Sequence, residues 1–169
     1  MAECEWEARL TDWVRMYSEP LMRLCFLQLR DYALSEDALQ ETFMKVWRAM
    51  PQYERSAIRN DRAWLCRIAL NVCHDMQRSR WMRHVDAARA LDSLPPAIFA
   101  VEAEDRTLLL DVMNLPEKFR EVILLYHYQR LTLRDIAQAL QLDVSTVHTR
   151  LKKAERMLKQ VLTEEVDAL

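Results

Sequence analysis

Apolar residues recur along almost the whole chain at three- and four-residue spacing, the period of an amphipathic helix and not of a strand. Trp6, Leu10, Trp13, Val14 and Tyr17 form a first stripe. Ser18 then reads as a cap, with Pro20 tolerated in the first turn of a second helix that carries Leu21, Leu24 and Cys25. Ser35 reads as the cap of a third helix, with Glu36 and Asp37 near its positive end. That helix is expected to turn Leu39, Phe43, Val46, Trp47 and Met50 inward and to stop at Pro51. A polar loop, Gln52 to Asp61, leads into a fourth helix over 62–83, striped by Ala63, Trp64, Ile68, Ala69, Val72 and Met76.

The period fades between Val85 and Asp105, around Pro95-Pro96, and this stretch reads as a linker with room for a short helical turn. It returns at Leu108, Leu109 and Val112. Pro116 restarts a helix to about Tyr128, Thr132 caps a short helix through Leu140, and Asp143 caps a longer one through about Leu162. The pattern predicts an all-α fold of two small helical bundles, 1–84 and 106–169, joined by a linker over 85–105.

Residues 132–154 fit a helix-turn-helix. Ile136, Ala137 and Leu140 give the first helix an inner face, and Leu142 plugs the turn. Val147, Leu151, Ala154 and Leu158 fall on one stripe of the second helix. Ser145, His148, Thr149, Lys152, Lys153 and Arg156 fall on its other side: small hydrogen-bonding residues followed by cations, the mix that enters a major groove and grips phosphates. A helical hairpin with a solvated outer face is the alternative. Gln141 stands where such turns often carry glycine, so it is expected to take a left-handed conformation at a cost of about 1 kcal/mol.

Composition narrows the function. There is no glycine, which removes glycine-dependent phosphate cradles and dinucleotide turns and disfavours hairpin-rich β folds. The net charge of −2 conceals blocks. Residues 55–84 carry seven arginines against two aspartates, and residues 118–162 carry nine basic against four acidic side chains, with an acidic stretch between them. Two separated basic blocks suit two contacts with a polyanion. Cys4, Cys25, Cys66 and Cys73 form no C-x-x-C pair, the start of the chain is acidic, and no window is long and apolar enough to span a membrane. A cytoplasmic protein with buried structural thiols is expected, without a metal site, a cofactor or catalytic machinery of its own.

Several stretches resemble bacterial sigma-70-type factors. Asp37-Ala38-Leu39-Gln40-Glu41-Thr42-Phe43, followed by Val46-Trp47, resembles the D-x-x-Q-E-x-F signature of region 2. Trp64-Leu65-Cys66-Arg67-Ile68-Ala69-Leu70-Asn71 resembles the promoter-melting segment W-L-x-R-I-A-x-N, and Leu115-Pro116-Glu117-Lys118-Phe119-Arg120-Glu121-Val122 with the helix-turn-helix resembles region 4. With no room for the intervening region 3, nearly the whole chain resembles an extracytoplasmic-function (group IV) sigma factor.

The resemblance implies that Asp37, Gln40 and Glu41, which share a helix side with Met44, dock on core RNA polymerase. It implies contacts with the −10 promoter element through Arg62, Trp64, Arg67, Asn71, Arg78 and Arg80, with a flipped base received in the loop from about Tyr53 to Asp61. Trp64 suits either stacking or core packing, Arg67 an internal ion pair, and Arg78, Arg80 and Arg83 the helix C-terminus as well as phosphate. Contacts with the −35 element fall to Ser145, Thr146, His148, Thr149, Arg150, Lys152 and Lys153. The family typically has Lys or Arg where His148 stands, and histidine adds only part of a charge at neutral pH. The implied partners are core RNA polymerase, promoter DNA and an anti-sigma protein, in the bacterial cytoplasm. A stand-alone helix-turn-helix regulator and a helical protein–protein adaptor are the rival readings.

Overall fold

The computed structural model describes residues 2–56, 59–79, 86–94 and 103–168. Every regular element among them is helical: α1 (Ala2–Leu29), α2 (Tyr32–Tyr53), α3 (Asp61–Ser79), α4 (Ala87–Asp92), α5 (Ala103–Asn114), α6 (Glu117–Ile123), α7 (Leu133–Leu140) and α8 (Val144–Asp167), with a π-helical turn at Leu124–Tyr128. They form two compact units, Met1–His84 and Val85–Leu169.

In the first unit α1, α2 and α3 pack mutually around Trp13, Leu21, Leu24, Phe26, Val46, Met50, Leu65 and Leu70. The expected break at Ser18 does not occur: α1 runs unbroken through Pro20, and the Ser18 hydroxyl donates to the Val14 carbonyl within the helix. An interior proline costs about 3 kcal/mol. The burial of Leu21, Leu24, Cys25, Phe26, Leu27 and Leu29 just beyond it, at roughly 1.5–3 kcal/mol for each large side chain, outweighs that cost. The connection to α2 is two residues long. Arg30 turns left-handed (φ 57°) while its N–H donates to the Phe26 carbonyl at 2.8 Å, and the Asp31 carboxylate caps Leu34 N–H at 2.9 Å.

Asp31, and not Ser35, is therefore the α2 cap. Ser35 is buried, its hydroxyl donating to the Asp31 carbonyl at 2.6 Å. The buried stripe is Leu34, Ser35, Ala38, Thr42, Val46, Met50 and Tyr53, a row at four-residue spacing rich in small side chains. Leu39 and Phe43 are half-buried and Trp47 is exposed, contrary to the expected inward set. Small residues win the inner face because α1 and α3 approach α2 closely, and the Thr42 hydroxyl is satisfied by the Ala38 carbonyl at 2.6 Å. The helix also passes Pro51 and ends at Tyr53, which is buried. On α3, Leu65, Cys66, Leu70 and Cys73 are buried, whereas the expected Ile68 and Met76 are half-buried. Residues 80–83, expected to extend this helix, lie outside the described residues.

In the second unit, the stretch read as linker contains α4, with Ala87, Ala90 and Leu91 buried and Asp92 paired with Arg106 of α5. Buried Arg120 donates to the Met113 and Leu115 carbonyls at 3.1 and 3.2 Å, closing the end of α5. Pro116 occupies the cap position of α6. After Ile123 the chain widens into a π-turn, with Gln129 N–H reaching back to the Leu124 carbonyl at 3.0 Å, so the helix expected to run to Tyr128 is not α-helical to its end. α8 extends beyond the expected Leu162, to Asp167.

Candidate functional site

The second unit builds its site from local rules. Thr132 and Asp135 form a reciprocal capping box at the start of α7: Asp135 N–H donates to the Thr132 hydroxyl at 3.1 Å, and Thr132 N–H donates to the Asp135 carboxylate at 3.3 Å. Gln141 ends α7 in the left-handed conformation (φ 55°, ψ 47°), and Leu142 N–H returns to the Ala137 carbonyl at 2.9 Å. Asp143 holds the cap position of α8, although its side chain makes no capping bond.

The turn aims α8 so that Val147, Leu151 and Ala154 are buried, while Ser145, His148, Thr149, Lys152, Lys153 and Arg156 are exposed. Thr146 and Arg150 are half-buried at the edges of that face, and the Thr149 hydroxyl is turned back onto the Ser145 carbonyl at 2.9 Å. Lys153 Nζ lies 5.4 Å from the centre of the Phe119 ring, and Lys118 Nζ lies 5.0 Å from the same ring. Two cations thus lie close to one aromatic ring beside the exposed side of α8. Lys118 lay inside a motif but was passed over in sequence, because only the fold brings α6 beside α8. Glu155 tempers this charge: it pairs with Lys152 at 3.6 Å and with His127 of the π-turn at 3.1 Å.

The first unit divides its candidates. Five residues separate Arg62 from Arg67, a rotation of roughly 140°. Arg67, Asn71 and Arg78, at i, i+4 and i+11, share one side of α3; Arg67 is half-buried and the other two are exposed. Arg62 instead stacks its guanidinium 5.5 Å over the Tyr17 ring. Arg78 is hydrogen-bonded to Asp75 at 2.7 Å and Lys45 approaches the same carboxylate at 3.4 Å; the Arg78 bond chiefly, aided by Lys45, holds the Asp75 carboxyl below its ordinary range. Arg80 and Arg83 lie outside the described residues.

Of the two readings of Trp64 the structure has the packed one: it is only 7% exposed, its ring 4.5 Å from Tyr53 and 5.8 Å from Trp13. Asp61 joins this cluster, accepting from the Tyr53 hydroxyl and from Trp13 Nε1, the latter at 3.1 Å. Burial, reinforced by the Asp61 bond, pushes the Tyr53 phenol far above its ordinary range. Burial likewise pushes the Cys66 thiol up to about 12, which suits a structural thiol; Cys25 and Cys73 are buried too, and Cys4 is exposed.

On α2, Asp37 and Gln40 are exposed and Glu41 half-buried, side by side as expected. Met44 and Trp47, 51% and 36% exposed, continue that side of the helix and give it an apolar end. Trp47 was missed because size alone argued for the core.

Two family profiles match the chain: Sigma-70 region 2 over residues 13–83 and Sigma-70, region 4 over residues 112–158. The ECF RNA polymerase sigma factor SigL of Mycobacterium tuberculosis is 33% identical over 138 residues, covering 79% of this chain and 77% of that protein. SigW of Bacillus subtilis, also an ECF RNA polymerase sigma factor, is 27% identical over 167 residues, 90% of this chain and 88% of that one. A Xanthomonas campestris protein named "Probable RNA polymerase sigma factor RfaY" is 31% identical over 147 residues, and the chain spans 36% of its length. Among solved structures, the sigma factor RpoE of Bartonella quintana, determined with the anti-sigma factor NepR, superposes with a TM-score of 0.72 over 90% of this chain and 96% of that one at 20% identity, a likeness of fold. With both regions matched in order and a one-third-identical relative covered over most of its length, the chain belongs to the extracytoplasmic-function family of sigma-70 RNA polymerase sigma factors.

Proposed function

We propose that this chain is a dissociable promoter-specificity subunit: it binds core RNA polymerase, reads and opens the −10 element with residues 1–84, and reads the −35 element with residues 106–169. The polymerase supplies the catalysis. The observation that carries the reading is the two-sided α8, with Val147, Leu151 and Ala154 buried and Ser145, His148, Thr149, Lys152 and Lys153 turned to solvent behind a left-handed turn. A solvated hairpin has no need to bring Lys153 and Lys118 close to Phe119 at the edge of such a face.

In this reading Asp37, Gln40 and Glu41 dock on the polymerase, with Met44 and Trp47 adding apolar contact. Arg67, Asn71 and Arg78 face the −10 strand, and Arg80 continues that set in sequence. Arg62 and Trp64 act from within, shaping the start of α3. Ser145, His148, Thr149, Lys152 and Lys153 meet the −35 groove, with Thr146 and Arg150 at its phosphate edges. An anti-sigma protein that covers these surfaces in the cytoplasm is the matching negative regulator, as its presence in the RpoE complex suggests.

The test is run-off transcription with purified core polymerase on a promoter library. Promoter-dependent initiation is expected only when the chain is added, and Lys153→Ala should weaken initiation at promoters that need their −35 element. A folded chain that supports no initiation with any core enzyme would defeat the proposal.

A further inference from the structure

The connection between α2 and α3 is closed by side chains from three helices. Tyr53 is the last residue of α2 and Asp61 the first of α3. The Tyr53 hydroxyl donates to Asp61 Oδ1, so one hydrogen bond ties the two ends of the connection together. Trp13 of α1 donates its Nε1–H to Asp61 Oδ2 at 3.1 Å, so each carboxylate oxygen holds one donor from a different helix. The rings that carry these donors are themselves packed: Tyr53 stands edge-on to Trp13 at 5.4 Å, and Trp64 lies 4.5 Å from Tyr53. The Arg9 guanidinium covers both partners, 5.6 Å from the Trp13 ring and 5.8 Å from the Tyr53 ring.

Flanking positions repeat the theme. Glu54, next to Tyr53, accepts from Trp6 Nε1 at 2.9 Å, and Asn60, next to Asp61, caps the Ala63 N–H at 3.1 Å. Filling this space needs no charge. A carboxylate drawn away from water is costly unless donors meet it, and an apolar side chain would fill the gap more cheaply. What a carboxylate adds is direction: two fixed acceptors set where both rings, and therefore both ends of the connection, must stand.

We infer that Asp61 is a positioning residue for −10 recognition: by joining Tyr53 and Trp13 it sets the separation and orientation of the α2 and α3 ends from which the base-reading connection springs. This rests on the −10 reading proposed above and assigns Asp61 no contact with DNA.

The test uses holoenzyme assembled from the full chain and core polymerase. Its affinity is measured for a single-stranded −10 oligonucleotide and for versions with one base replaced, and the ratio is the discrimination. Asp61→Ala should lower that ratio about tenfold, and Tyr53→Phe, which keeps the ring and loses one bond, about threefold. Asp61→Asn, whose amide oxygen can keep one of the two bonds, should fall between wild type and Asp61→Ala. Affinity for core polymerase and for −35 duplex should not move. A purely structural Asp61 would lower the melting temperature and leave the discrimination ratio at its wild-type value, and that result overturns the inference. If Asp61→Ala does not fold, the ratios of Tyr53→Phe and Asp61→Asn decide in the same way. A wild-type holoenzyme with no base preference overturns the −10 reading and this inference together; wild-type preference intact in every variant overturns the inference alone.

Discussion

The two units hold their functional surfaces by different means. In the second, most of the polar bonds around α7 and α8 are local: Thr132 with Asp135, Leu142 with Ala137, Thr149 with Ser145, with His127 to Glu155 the longer exception. In the first they join residues far apart in the chain: Trp6 with Glu54, Trp13 with Asp61, Lys45 with Asp75, Gln77 with the Gln28 carbonyl. A reading face whose polar bonds are mostly its own turn and caps leans on α6 through packing more than through long-range hydrogen bonds. One set by contacts between helices exists only when all three helices are in place, which suits a surface that must hold an opened strand in one geometry.

The comparison breaks most visibly if the second unit is emptied. Leu151 is 4% exposed on the inner side of α8, and Leu151→Asp replaces its packing with a buried carboxylate. The expected cost is at least about 4 kcal/mol, enough to unfold the α7–α8 pair and abolish −35 binding. All five tryptophans lie within residues 1–84, so tryptophan fluorescence follows the first unit alone. Its unfolding transition should be unchanged in this variant. A parallel fall would show that the units share their stability.

The same contrast decided what was legible in sequence. Val147, Leu151 and Ala154 against Ser145, His148, Thr149, Lys152 and Lys153 follow from helical period alone, and Gln141 had to turn left-handed because a helix–turn–helix needs that conformation and the chain has no glycine. Arg30 and Arg130, the other left-handed residues among those described, went unseen because no motif marked their turns. In the first unit, the rule that large apolar residues face inward failed for Trp47 and Phe43: close approach of the helices selected Ser35, Ala38 and Thr42 instead. Pro20 and Pro51 read as boundaries, yet packing on either side carried both helices through. The Asp61 cluster had no signal at all, since its partners lie 8 and 48 residues away.

Alkaline pH should separate the units next. Cys66, Tyr53 and Tyr17 of the first unit all bind their protons more tightly when folded, in each case chiefly through burial. A raised folded-state value gives stability that is complete below the unfolded value, near 9 for the thiol, and lost as pH rises toward the folded one. Each tenfold difference in proton affinity is worth about 1.4 kcal/mol, so Cys66 alone accounts for up to roughly 4 kcal/mol between pH 9 and about 12. Fluorescence-detected melting should fall steeply across that window. Circular dichroism, which adds the helices of the second unit, where Tyr128 is the described group raised in this way, should show a smaller fractional loss than the fluorescence. Cys66→Ala should flatten the first-unit profile, and an unchanged profile would remove the thiol from the account.

Smaller effects sharpen the claim that the α8 face is locally set. Thr132→Ala removes one half of the capping box and should cost about 1 kcal/mol, lowering the melting temperature of the second unit by a few degrees. Because the cap holds α7 and not the reading face itself, the relative preference among −35 sequences should survive; a changed preference would mean that α7 steers α8 through more than its turn.

The smallest expected effect runs the other way. Gln141 sits at φ 55° and ψ 47° with a side chain that is exposed, so its left-handed turn carries a steric penalty and no visible compensating contact with the core. Gln141→Gly relieves that penalty, while the greater freedom of glycine in the unfolded chain takes back part of the gain, leaving about 0.5–1 kcal/mol of added stability. Melting of the second unit should rise by a few degrees, with −35 affinity unchanged, because the turn already holds the geometry that glycine would adopt. A gain in stability accompanied by weaker −35 binding would mean that the Gln141 side chain touches DNA, and that the turn belongs to the reading surface as well as aiming it.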